Sequence, residues 1–337
     1  MRAFAVGLSL TLVSCGTPPP PRATPPEPPV EAPPEVEPAA PAPLTAEEQA
    51  LRTELDKDVH ALAKIGERNV DKKWELASAA DWIADELDAA GLGVHREGYE
   101  VGEVAAQNLA TEVRGGARGS ELVIVGAHYD SASGSPGADD NASGVAAVLA
   151  LARRFAKTQP KRTLRFVWFV NEEPPFFQTP QMGSLVYAKA LAARGETAVA
   201  MVSVESIGVF SDAPGSQRYP APLAKKHPDV GNFVAVVGDE RSAPLVDRFS
   251  AALSKGASLP VESDSLPAEL PGVGWSDHWS FWQIGVPAIM VTDTAPFRYP
   301  HYHKPTDTPD RLDFDRMARV TQGLFVALSQ LANGEQG

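Results

Sequence analysis

The 337-residue chain carries 43 acidic against 30 basic side chains, a formal charge of −13 that argues against nucleic-acid binding and against electrostatic attachment to anionic lipid. Its one cysteine, Cys15, lies near the start, so the body of the chain has no disulfide and no thiolate ligand. Any metal bound there must be held by nitrogen and oxygen.

Met1-Arg2 followed by the apolar run Ala3 to Val13 reads as an export signal, too short to span a bilayer. It ends in Leu12-Val13-Ser14-Cys15-Gly16, which resembles a bacterial lipobox, against the alternative of an ordinary cleaved signal with a chance cysteine. The resemblance implies acylation of Cys15, and hence a lipid-anchored protein of the bacterial cell envelope, in the outer membrane or facing the periplasm. From Thr17 to Leu44 the chain is dominated by proline, alanine and glutamate. Such a stretch lacks the apolar side chains for a core and reads as an extended spacer rather than a peptide ligand. The expected organisation is a signal over 1–14, a lipidated linker over 15–44, and one domain over 45–337.

The domain opens with a helix. Thr45-Ala46-Glu47-Glu48 has capping-box spacing, and Leu51, Leu55, Val59 and Leu62 recur at helical intervals. A second helix is expected over 77–90 with Gly91 as its stop, then extended segments over 94–101 and 108–113. Strands over 122–127, 164–170 and 198–204 alternate with helices over 142–155 and 182–193. Further strands over 232–237 and 288–292 flank a helix over 242–253, and a helix over 314–331 closes the chain. This is an α/β pattern: a mostly parallel mixed sheet sandwiched between helix layers.

The polar residues fall at the ends of these strands. His128 follows the strand 122–127, Glu172 and Glu173 follow 164–170, and Glu205 follows 198–204. Asp139 and Asp140 stand at the start of a helix, and His303 lies in a loop beyond the strand 288–292. Each alone reads equally well as a loop residue or a cap. In open α/β sheets, however, ligands bind outside the carboxyl ends of the strands, so these groups are expected to share one crevice. Imidazole and carboxylate without thiolate is the donor set of a two-metal hydrolase.

His128-x-Asp130, the segment Gly137 to Gly144, Glu172-Glu173, Glu205 and His303-x-Pro-x-Asp307-Thr308 together resemble the M28 family of di-zinc peptidases, over about 77–331. The resemblance implies a zinc exopeptidase-like fold and hydrolysis of N-terminal peptide bonds of a peptide substrate by water activated between two Zn2+ ions. It implies that His128 and Glu205 hold one zinc, Glu173 and His303 the other, and Asp140 bridges them, with Asp139 as the alternative bridge. It also implies a cis peptide between Asp140 and Asn141, a general base in Glu172, and a second carboxylate, Asp130, that orients the His128 ring. Two departures stand out. Most of the family has aspartate where this chain has Glu205, and the loop 174–184 is longer than usual.

Other residues receive plainer readings. Phe176 and Phe177 either wall a pocket or pack in the interior, Trp275, Trp279 and Trp282 are expected inside, and His60, His95 and His227 on the surface. Ser276-Asp277-His278 is placed beside the ligands or the substrate. Glutaminyl cyclase, carboxypeptidase and a metal-free binding module remain as alternatives to the aminopeptidase.

Overall fold

The computed structural model describes residues 42–221, 223 and 226–334. The signal, Cys15 and nearly all of the proline-rich linker lie outside the described residues.

Thr45 caps α1 (Ala46–Ile65) in the expected capping box with Glu48, and α2 (Lys73–Ala89) starts a turn earlier than its sequence pattern suggests. Strands β1 (His95–Val101) and β2 (Val104–Val113) form a hairpin. Then follow β3 (Arg118–His128), α3 (Gly144–Phe155), β4 (Arg162–Phe169), α4 (Gly183–Ala193) and β5 (Thr197–Glu205). The chain continues through β6 (Val234–Asp239), α5 (Ala243–Gly256), β7 (Val261–Leu266), the short α6 (His278–Trp282), β8 (Ala288–Thr292) and α7 (Phe314–Asn333). Two elements were not expected from the sequence, β7 and α6.

Among the described residues the eight strands form one sheet in the order β1-β2-β4-β3-β5-β8-β6-β7. Its centre, β4-β3-β5-β8, is parallel, β1, β2 and β6 enter antiparallel, and β7 runs parallel to β6 at the far edge. The central strands alternate between two buried faces, as continuous apolar runs require. Val123, Val125, Val202 and Val204 pack with α1, α2, α3, α5 and α7, whereas Leu122, Ile124, Phe169 and Met201 pack with α4 and α6.

From β3 the chain crosses to β4 on one side, and from β5 it goes on to strands on the other. The carboxyl ends of β3 and β5 therefore flank the point where strand order reverses, the place where such sheets open a crevice. Phe176 packs on the larger core rather than walling a pocket. Trp282 is buried and Trp279 packs on the smaller core, but Trp275 is 44% exposed, against expectation.

Candidate metal centre

His128 and Glu205 are the last residues of β3 and β5. Glu172 and Glu173 follow β4 after a sharp turn at Asn171, whose φ is 59°. Asp140 sits in the loop before α3, with non-helical backbone and a cis peptide to Asn141, as the resemblance implies. His303, also at positive φ, comes from the loop after β8. Six residues from five segments thus meet over the crevice.

Their atoms divide into two groups that share Asp140. His128 Nε2 lies 3.2 Å from Asp140 Oδ1 and 3.2 Å from Glu205 Oε2. His303 Nε2 lies 3.0 Å from Asp140 Oδ2 and 3.1 Å from Glu173 Oε2. Within each triad the donor atoms lie within 4.8 Å of one another, as donors to a single ion do. Glu172 belongs to neither triad; its Oε2 stands 4.0 Å from His128 Nε2.

The residues fit zinc on their own chemistry. Four carboxylates face two imidazoles in a buried space, an arrangement of acceptors that is costly unless cations sit among them. Buried His303 Nε2 and Glu173 Oε1 find no hydrogen-bond partner, although carboxylate oxygens crowd the former. The proton affinities of these groups show the same demand for positive charge. Burial alone would push His303 down, but Asp140 and Glu173 carry it up to about 10. His128 moves up the same way, against burial, through Glu205, Asp130 and Asp140. Burial, with Asp140 beside it, lifts Glu173 to about 7. Burial also raises Glu172 well above the usual carboxylate range, helped by Glu205 and Glu173.

A further set of residues holds these groups in place. Asp130 was expected to orient the His128 ring through its carboxylate. That carboxylate is 3.6 Å from Nδ1, and the Asp130 backbone carbonyl, at 3.2 Å, is the atom within hydrogen-bond distance. The two carboxylate oxygens also accept the backbone N–H groups of Glu172 and Glu173, fixing the turn that presents both glutamates.

Asp307 does the same for the loop before α3, accepting the N–H of Asp139 at 2.9 Å and of Asp140 at 3.2 Å. Asn141 ties the loop to β5: its Nδ2 donates to the Val204 carbonyl and the Glu205 carboxylate, and its Oδ1 accepts the N–H of Gly144 and Ser206. No Cβ fits at Gly144, where it would stand 2.3 Å from both Asn141 Oδ1 and the Val204 carbonyl.

Arg68, which nothing in the sequence singled out, is fully buried and donates to the carbonyls of Gly66, Tyr129, Pro136 and Gly137. It fastens the loop between His128 and Asp140, where Gly137 at φ 57° leaves room for it.

The Glu205 carboxylate is clamped by neighbouring hydroxyls. Ser276 donates to Oε2 at 2.8 Å and Ser206 to Oε1 at 3.1 Å. Ser276 is therefore a direct neighbour of Glu205. Asp277 is buried beside it and pushed up to about 7 by that burial, while His278 turns away to the Val273 carbonyl. Asp139 also turns away, accepting from the Gly208 N–H beside Asp293. His301 bonds Thr306, apart from the triads. Tyr302, stacked on His303 at 3.8 Å, lies among Asp140, Glu173, Glu172 and Glu205, a position the sequence did not reveal.

The family model described as peptidase family M28 matches residues 108–328. Uncharacterized protein YfbL of Escherichia coli (strain K12) is 39% identical over 285 residues, covering 82% of this chain and 87% of that protein. A probable leucine aminopeptidase of Arthroderma otae is 27% identical over 302 residues, 83% of this chain and 73% of its own length. Among solved structures, the Legionella pneumophila LapA aminopeptidase superposes with a TM-score of 0.64 over 89% of this chain and 79% of that one. At 18% identity this is a likeness of fold.

Proposed function

The chain belongs to peptidase family M28, and from that premise we propose that it is an aminopeptidase working with two zinc ions, one held by His128, Asp140 and Glu205 and the other by Asp140, Glu173 and His303. The observation that carries the pair of ions is the division of the Asp140 carboxylate, one oxygen toward each triad.

When bound, two zinc ions would polarise the scissile carbonyl and acidify water. Glu172, outside both triads, takes the proton from the attacking water and returns it to the leaving amine. Burial and its acidic neighbours raise its proton affinity above that of an ordinary carboxylate. Asp130 keeps Glu172 in place through the backbone N–H it accepts.

The pocket that opens beside Glu205 and Tyr302 supports reading the amino end of the substrate. Among the described residues that line it there is no lysine or arginine to receive a C-terminal carboxylate. Two measurements bear on this reading. The purified chain should contain about two zinc ions, and a chelator should abolish hydrolysis of unblocked aminoacyl substrates, with zinc restoring it. One tightly bound zinc, or cleavage of N-blocked substrates alone, would be incompatible with it.

We also propose that Cys15 is acylated and tethers the domain to the envelope through the linker, on the strength of the lipobox-like sequence around this single cysteine. Cys15→Ser should move the protein from the membrane to the soluble fraction of cells. Unchanged membrane association in that variant would rule the anchor out.

A further inference from the structure

The pocket beside the metal centre is a trough laid across the sheet. Glu205 pairs laterally with Thr292, Thr292 with Ala235, and Ala235 with Glu262, so these four side chains form one row on one face. Three strand spacings separate its ends, about 14 Å. Between the two acids the floor is low, only threonine and alanine, and the next row, Met290 and Val237, is apolar. Trp275 and Phe297, stacked at 6.3 Å, add aromatic wall.

The far end carries two acids of β7, Glu262 and Asp264, and both are already occupied. His227, expected at the surface, is 10% exposed and sets Nδ1 2.9 Å from Glu262 and Nε2 3.2 Å from Asp264. Carboxylate oxygens can accept from a ring nitrogen, so the imidazole is held between the two acids. Lys226 closes on Asp264 from outside, at 2.7 and 2.6 Å. The loop between β5 and β6 thus delivers two donors that plug an acidic end wall.

We propose that this trough receives the side chain of the substrate's N-terminal residue, and that the His227 plug makes it select large uncharged side chains over lysine and arginine. The proposal rests on the aminopeptidase reading and goes beyond it by naming the residues that set selectivity. A long apolar side chain covers Ala235, Val237 and Met290. A cationic tip finds Glu262 and Asp264 already engaged by His227 and Lys226, and an anionic tip finds those two donors engaged in turn.

The test uses the full chain loaded with zinc and the p-nitroanilides of alanine, leucine, phenylalanine, lysine and glutamate. Wild type is expected to show kcat/KM for leucine and phenylalanine about tenfold or more above lysine and glutamate. His227→Ala, which frees Glu262, should raise the lysine-to-leucine ratio on the order of tenfold. Adding Glu262→Gln to that variant should cancel the gain. Ala235→Leu, which raises the floor, should lower phenylalanine about tenfold relative to alanine.

A lysine-to-leucine ratio unchanged in His227→Ala overturns the proposal, and so does a wild type that prefers lysine. So does an Ala235→Leu variant that loses phenylalanine and alanine substrates equally. Failure of wild type to cleave any aminoacyl substrate would overturn the aminopeptidase reading instead.

Discussion

Glu172→Gln is expected to lower kcat by roughly 10³-fold while leaving zinc content and KM close to wild type. Glutamine keeps the size of the side chain and one oxygen, but it cannot hold the proton that passes from water to leaving amine. Glu172 contributes no atom to either triad, so the donors to the ions are intact in the variant. The backbone N–H that Asp130 accepts from residue 172 does not depend on the side chain, so the turn carrying Glu173 also persists. Activity and zinc content must be read on the same sample. Turnover within tenfold of wild type would remove Glu172 from the mechanism, and loss of zinc would make it a ligand rather than a base.

The parts of the fold that could be read in advance are those where burial leaves an unbroken mark. The central strands β3, β4, β5 and β8 are apolar runs covered on both faces, and their ends fell within a few residues of expectation. Strand β7 escaped because it lies at the sheet edge, half-exposed, with Glu262 and Asp264 along it. That same strand carries the acids that end the trough, so the selectivity pocket was invisible for the reason the strand was.

The site divides along a similar line. Residues that present a side chain at a strand end, His128 and Glu205 among them, announce themselves by position. Residues that act by accepting another segment's backbone N–H do not, because the partner is remote in sequence. Asp307 and the Asp139 N–H it accepts are 168 residues apart. Arg68 shows the extreme: a buried guanidinium spent on loop carbonyls leaves no pattern around it.

Asp140→Asn is expected to cost at least one of two zinc ions and to reduce turnover by more than 10³-fold. Each carboxylate oxygen of Asp140 faces a different histidine, Oδ1 toward His128 and Oδ2 toward His303. An asparagine side chain offers one oxygen and one NH₂ group, and the NH₂ has no lone pair to give a metal. One triad therefore keeps three donors and the other falls to two, with an N–H aimed where an ion should sit. Cooperation between the ions in polarising carbonyl and water ends with the loss of either. The Asp307 carboxylate still receives the backbone N–H of residue 140, so the loop has no reason to rearrange. Zinc content measured alongside Glu172→Gln separates the two roles, since only the bridge variant should lose metal. Two zinc ions retained per chain in Asp140→Asn would overturn the bridge. Asp139 is no ready substitute, because its carboxylate is turned to the Gly208 N–H and Asp293, away from both histidines.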